Sequence, residues 1–200
     1  MWVPIDGVRV ISNRSTGELG HILVKDLLAH HAKITLLEGP VTVRTVFKSN
    51  AVKMIKFYFY EEFVKFLEHE LKKPYDAVIH LAAVSDYQPK KVYKEKLRSD
   101  LSELILRLVP TRKLIYDIKR FCPKAFLVGF KLESNKNLKG LKEKASRLFL
   151  DAHCDLVVAN CVTTKSYAGY ILEKTSNVLA KGFTRREISS RLTRILGERL

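Results

Sequence analysis

Two hundred residues, 46% apolar and 28% charged, describe one globular domain with room for a sizeable core and exclude wholesale disorder. No uncharged apolar run approaches the ~18 residues of a membrane span, and the opening MWVPIDGVRV lacks a signal-peptide layout. Lys and Arg number 36 against 21 Asp and Glu, a net charge of +15 that attracts polyanions: nucleic acid, anionic lipid or a phosphorylated small molecule. Residues 88–120 concentrate ten basic side chains against four acidic ones, and the last twenty residues carry six against two. Cys122, Cys154 and Cys161 form no CxxC pair, so neither a disulfide framework nor a zinc knuckle is supported. Reduced thiols in a cytoplasmic protein are expected.

In chain order, residues 8–12 read as a short apolar strand and Ser15-x-x-Glu18 as a capping box opening a helix. Leu19, Ile22, Leu23 and Leu27 form the buried stripe of that helix. Residues 33–38 (KITLLE) form a strand stopped by Gly39-Pro40, and 43–47 a further candidate strand. Residues 61–73 predict an amphipathic helix with Phe63, Phe66, Leu67 and Leu71 inward. Strands follow at 76–81 and 103–109, a helix at 111–121, a strand at 125–130, a helix at 138–152 and a strand at 155–159. A hairpin of 170–172 with 177–179 precedes a last helix capped by Thr184-x-x-Glu187. Without repeats or a flexible linker, residues 1–200 parse as a single nucleotide-binding domain. Its class is α/β: a doubly wound, Rossmann-like, mainly parallel sheet with helices on both faces plus the small C-terminal hairpin. Ligands of such folds bind beyond the carboxyl ends of the strands, so the loops after Ser12, Leu81, Val109, Phe130 and Ala159 are expected to converge.

Two of these loops carry chemistry. Ser12-Asn13-Arg14-Ser15-Thr16-Gly17 joins a strand to a helix N-terminus, where free N–H groups favour an anion. Gly17 and Gly20 allow close approach, and Asn13 offers both a donor and an acceptor. The loop is neither GxGxxG nor Walker A. Leu81-Ala82-Ala83-Val84-Ser85-Asp86 leaves room for a flat group, with Asp86 as acceptor for a base or hydroxyl. The following Lys94-Glu95-Lys96-Leu97-Arg98 places cations where phosphate charge would develop. Tyr87-x-x-x-Lys91 imitates the Tyr/Lys pair of short-chain dehydrogenases, but the glycine-rich loop and the intervening helix of that family are missing.

Taken in order, VRVISNRSTGELG (residues 8–20), LAAVSDY (81–87), Lys96-Leu97-Arg98, Gly129-Phe130-Lys131-Leu132 and DLVVAN (155–160) resemble phosphopantothenate–cysteine ligase of the stand-alone bacterial type, along nearly the whole chain. The resemblance implies CTP-dependent condensation of 4′-phosphopantothenate with cysteine through an acyl-cytidylate, with magnesium accompanying the triphosphate and ATP as the other nucleotide to weigh. It implies Asn13 and Lys96 as catalytic residues, and Asn13, Arg14, Ser15 and Gly17 as the substrate loop. Leu81, Ala82, Ala83, Asp86, Lys96, Lys113 and Phe130 would bind the nucleotide, without a protein metal site. A cytoplasmic homodimer pairing through residues 162–180 is implied, with no membrane partner. A basic nucleic-acid-binding module and a degenerate ligase-like domain are the alternatives.

Three departures carry expectations of their own. The family places a strand and a Gly-Gly-Thr loop before the segment matching residues 3–6, where Met1 stands here; loss of that strand would leave two neighbours unpaired. Family lysines on the later helix correspond to Leu148 and Ala152, with Lys142, Lys144 or Arg147 as substitutes nearby. Asn160-Cys161 stands in place of Asn-Asp, a plain replacement.

Overall fold

Residues 126–133 and 156–162 are continuous apolar runs, and strands of that kind need cover on both faces. The computed structural model, which describes residues 1–133, 137–163, 166–175 and 177–200, provides it. β1 (Trp2–Pro4) and β2 (Val10–Ser12) make a short antiparallel hairpin with Trp2 opposite Ser12. α1 (Glu18–Ala29) precedes β3 (Ile34–Glu38), which pairs in parallel with β4 (Val52–Lys56). α2 (Tyr60–Glu70) leads to β5 (Ala77–His80). β6 (Tyr87–Pro89) and β7 (Leu108–Pro110) form a second antiparallel ribbon. Then come α3 (Ile115–Phe121), β8 (Phe126–Glu133), α4 (Leu138–Asp151) and β9 (Leu156–Val162). β10 (Tyr167–Glu173), β11 (Val178–Gly182) and α5 (Arg185–Arg199) follow.

The main sheet runs β11-β10-β9-β8-β5, with β5, β8 and β9 parallel and the two last strands antiparallel to their neighbours. Alternate side chains of the central strands feed two cores. Leu127, Val157, Ala159 and Leu172 face α2, α3 and α4, meeting Phe63, Leu67, Ile118, Leu141 and Phe149. Val128, Leu156, Val158 and Ile171 face α1 and α5, meeting Leu23, Ile188, Leu192 and Leu196. Each such fully buried aliphatic side chain contributes about 1.5–3 kcal/mol. The α/β class with helices on both faces therefore holds.

Several expected elements are redrawn by pairing. Residues 8–12 contribute a strand that turns back on β1 instead of entering the main sheet. The capping box at Ser15 does not form: α1 starts at Glu18, after a left-handed Gly17 with φ 77°. His21 and Val24 are buried in α1 beside Leu23, while Leu19, Ile22 and Leu27 are half-buried. Residues 43–47 form no strand; the ladder partner of β3 is 52–56. Of 103–109 only the last two residues enter β7, so Val109 ends no strand of the parallel sheet. The C-terminal hairpin is longer than expected and joins the main sheet through β9. Within 162–180, Thr164, Lys165 and Ser176 lie outside the described residues.

The main sheet ends at β5, and β3–β4 stand as a separate pair. Between the feet of β3 and β5 lies a cavity of about 560 Å³, lined in part by Lys33, Thr35, Lys53, Tyr75 and Asp76. The Tyr75 hydroxyl donates to Glu70 across 2.7 Å and sits 3.2 Å from the Thr35 hydroxyl. All residues of β3 and β5 are half-exposed, whereas β9 is buried over six consecutive positions. Open edges account for that difference, since β3 and β5 each pair on one side only.

Candidate active site

The carboxyl end of β5 and the middle of β8 set the floor of the site; β8 runs on to Glu133 and β9 to Val162, so the loops expected after Phe130 and Ala159 are strand instead. His80 pairs with Gly129, which places Leu81 and Phe130 at the same level just above. Glycine is required at 129, where a Cβ would come within 2.8 Å of the Cys154 sulfur. Burial pushes His80 down to about 4, so its imidazole is neutral at physiological pH. Phe130 is half-buried and packs against the core under α1 and α5.

Loop 12–17 descends onto this floor from β2. The Asn13 side-chain amide donates to the Val84 carbonyl at 3.0 Å, joining the two sequence-nominated loops across 71 positions. Its own carbonyl oxygen is left as an acceptor. Gly17 is where side chains are excluded twice over: its φ is positive, and a Cβ would lie 2.6 Å from Val41. A strap formed by 41–47 holds the loop from outside, with the Val43 N–H on the Thr16 carbonyl at 3.1 Å. Beneath it His21 and Glu38 are bonded at 2.8 Å, the His21 ring edge-on to Phe47. Arg14 and Ser15 are exposed at the start of α1, and Arg14 makes no ion pair among the described residues.

The second loop is shaped by two tight turns, Leu81 N–H to Ile79 O at 3.2 Å and Val84 N–H to Ala82 O at 2.9 Å. Leu81 reaches under α1, where a Cβ on Gly20 would be 3.4 Å from it. Ala82 is exposed and Ala83 half-buried, leaving the shelf beside them uncrowded. Asp86 is exposed and ion-paired with Lys113, and its carbonyl accepts from the Thr111 N–H at 3.0 Å. Lys113 and Asp86 thus meet each other directly.

Lys96 arrives by a different route. It lies in the long connection between β6 and β7, exposed and without an ion pair among the described residues. That connection docks on the β1–β2 turn, not on the strand ends. The Tyr93 N–H donates to Ile5 O at 2.9 Å and the Leu97 N–H to Asp6 at 3.0 Å. Asp6 was not among the residues nominated from the sequence, although Asp-Gly between two short strands is a turn signal. On α4, Leu148 packs against the core and Ala152 is buried, while Lys144 pairs with Glu133. Lys142 and Arg147 make no ion pair among the described residues. Cys161 is fully buried, in keeping with a plain replacement. Among the described residues no group of three or more His, Cys, Asp or Glu side chains is placed to hold a metal ion.

An exposed Arg14 at the start of α1, beside a shelf left uncrowded by Ala82 and Ala83, suits a phosphorylated, planar ligand. Residues 2–191 match the family described as the DNA/pantothenate metabolism flavoprotein C-terminal domain. The chain belongs to this family. Within the family it is similar to the coenzyme A biosynthesis bifunctional protein CoaBC of Thermococcus kodakarensis, 34% identical over 197 residues that make up 98% of this chain and 46% of that protein. The CoaBC protein of Borreliella burgdorferi is 26% identical over 96% of this chain and 49% of its own. The chain spans about half the length of the curated relatives it matches. Its fold is shared with the crystal structure of the DNA/pantothenate metabolism flavoprotein from Streptococcus pneumoniae, at a TM-score of 0.88 and 23% identity, over 100% of this chain and 96% of that one. It is shared also with the Cab2 mutant H337A in complex with phosphopantothenate-cysteine, at a TM-score of 0.81 and 17% identity, over 100% of this chain and 83% of that one.

Proposed function

We propose that this member of the DNA/pantothenate metabolism flavoprotein family is a ligase that joins 4′-phosphopantothenate to cysteine, using CTP. The observation that carries the reading is the Asn13–Val84 bond, which closes the substrate loop onto the nucleotide shelf at the start of α1. In the first half-reaction the pantothenate carboxylate attacks the α-phosphorus of CTP and pyrophosphate leaves. In the second the cysteine amine attacks the acyl carbon, CMP leaves with the bonding pair, and the amine gives up a proton. Asn13 holds the acyl carbonyl, and Lys96 neutralises charge on the phosphoryl oxygens. Asp86 accepts from the base once Lys113 turns to phosphate. No carboxylate set for magnesium is present among the described residues, so the metal is written as part of the Mg–nucleotide substrate and no step is assigned to it.

A homodimer belongs to the same reading, and exposed Leu101, Leu104 and Ile105 in the connection before β7, with Leu108 in β7 itself, support it. So does a cytoplasmic location; no described helix is long and apolar enough to cross a membrane.

The test supplies the chain with 4′-phosphopantothenate, Mg²⁺ and CTP or ATP, with and without cysteine, and follows products by mass spectrometry. Acyl-cytidylate without cysteine, and phosphopantothenoylcysteine plus CMP with it, are the expected results. Asn13→Ala should accumulate the anhydride and lose about 100-fold in ligated product, and Lys96→Ala should lose anhydride formation by a similar factor. Full turnover by both variants would sink the assignment. RNA binding that CTP does not displace, with a steep inverse salt dependence, would favour a nucleic-acid-binding module.

A further inference from the structure

Asp6 is an acidic side chain with no exposed surface, set in the turn between β1 and β2. Its Oδ1 accepts from the N–H groups of Val8 and Arg9 at 2.9 and 2.8 Å. Its Oδ2 accepts from the Arg9 guanidinium at 3.1 Å and from the Leu97 N–H at 3.0 Å, 91 positions away. Three of these bonds would suffice to build a tight turn; the fourth reaches the residue directly after Lys96. Two more contacts seat the same segment. The Tyr93 N–H donates to Ile5 O, and Gly7 passes so near the Lys94 carbonyl that a Cβ would lie 3.3 Å from it. Beyond Leu97 the connection is exposed through Ile105.

We infer that Asp6 is the positioning residue for Lys96: it fixes the Leu97 amide, and with it the backbone from which Lys96 reaches the nucleotide phosphates. This rests on the ligase reading for its chemistry, but the docking itself stands on the geometry. The arrangement has an electrostatic logic. A free carboxylate beside Lys96 would attract its ammonium group and neutralise it. Here Arg9 neutralises Asp6 instead, and Lys96 keeps its charge for the ligand. Desolvation alone would raise Asp6, but the N–H groups of Val8, Leu97 and Arg9 together with the Arg9 charge outweigh it and hold its carboxyl below the usual range. Asp6 is therefore ionised throughout any assay near neutral pH.

The experiment compares wild type, Asp6→Asn, Asp6→Glu, Lys96→Ala and the double variant Asp6→Asn/Lys96→Ala by two readouts. Limited trypsin digestion reports the docking, because Lys94, Lys96 and Arg98 are cleavage sites within the segment. Asp6→Asn should speed cleavage there by about tenfold while cleavage elsewhere stays near wild type, with the melting temperature lowered by only a few degrees. Asp6→Glu, one methylene too long for the turn, should fail to restore protection. Steady-state kinetics report the function. Asp6→Asn should raise KM for CTP about tenfold with kcat and KM for phosphopantothenate changed less than about twofold, and should add little in the Lys96→Ala background. Unchanged digestion at the three sites, or equal factors in both backgrounds, would overturn the inference. Should Asp6→Asn fail to fold, hydrogen exchange of wild type decides: a Leu97 amide as labile as that of Arg98 overturns it. If even wild type makes no anhydride, the ligase reading falls, while digestion still decides whether Asp6 holds the segment.

Discussion

Glu70 shows how a single side chain ties the foot of the β3–β4 pair to the rest of the molecule. Its carboxylate is buried at the end of α2 and accepts from Lys53 of β4 at 2.9 Å, Lys73 at 2.8 Å and the Tyr75 hydroxyl at 2.7 Å. Desolvation by itself would raise its pKa, yet the hydrogen bonds from Lys73, Lys53 and Tyr75 outweigh burial and bring it down to about 2. A carboxyl with a depressed native pKa stabilises the fold above its ordinary value of 4.5, and that stabilisation is lost as pH falls from there toward 2. Glu70→Gln should therefore cost about 1–2 kcal/mol at pH 7, a modest figure because both lysines are half in water. The difference from wild type should shrink steadily below pH 4.5, and urea unfolding at pH 7 and near pH 3 measures both ends. Equal stabilities at pH 7 would show that the cluster is only a solvated ion pair.

At the scale of elements, two capping motifs of the same form had different fates. Thr184-x-x-Glu187 caps α5: the Thr184 hydroxyl accepts from the Glu187 N–H at 3.1 Å, while the Glu187 carboxylate reaches past the N-cap to accept from the Phe183 N–H at 2.8 Å. Ser15-x-x-Glu18 does not, because Gly17 turns left-handed under Val41 and takes the N-cap place two residues after Ser15. Thr184→Ala should destabilise the protein by about 1 kcal/mol and Ser15→Ala by less than about 0.5, measured by chemical denaturation. The contrast explains what was legible. Local chemistry suffices where nothing crosses it, as at the start of α5 and along the apolar β8 and β9. Residues 43–47 carry a strand's alternation and do run as an extended strap with Val43, Thr45 and Phe47 turned inward. They pair with nothing because pairing belongs to two segments, and the partner of β3 is VKMIK, whose lysines disguise it. The candidate site divides in the same way. Loops 12–17 and 81–86 announce themselves by residue type, whereas the Asp6–Leu97 bond joins positions too far apart for any local pattern to reveal.

For the whole molecule, the consequence lies in the gap between the two sheets. A parallel strand offers alternate N–H groups to each side, so β3 and β5, each paired on one side, leave amides facing the gap without ladder partners. The apolar residues Leu36, Leu37, Val78 and Ile79 are half-exposed there, although their pattern is that of interior strands. The core under α2 and the His21–Glu38 bond from α1 still bridge the gap, so the pair cannot drift away without exposing Phe57 and Phe63, which stack at 4.7 Å. Local opening should therefore cost far less at β3 and β5 than global unfolding, while β9, flanked by β8 and β10, should open only with the whole. Native-state hydrogen exchange is expected to find the gap-facing amides of β3 and β5 about 100-fold less protected than those of Leu156–Val162. Uniform protection across all three strands would mean that the edges are covered in solution. In that case the half-burial of β3 and β5 would be a property of the isolated chain alone, and the stability assigned to its two cores would have to be shared with whatever closes the gap.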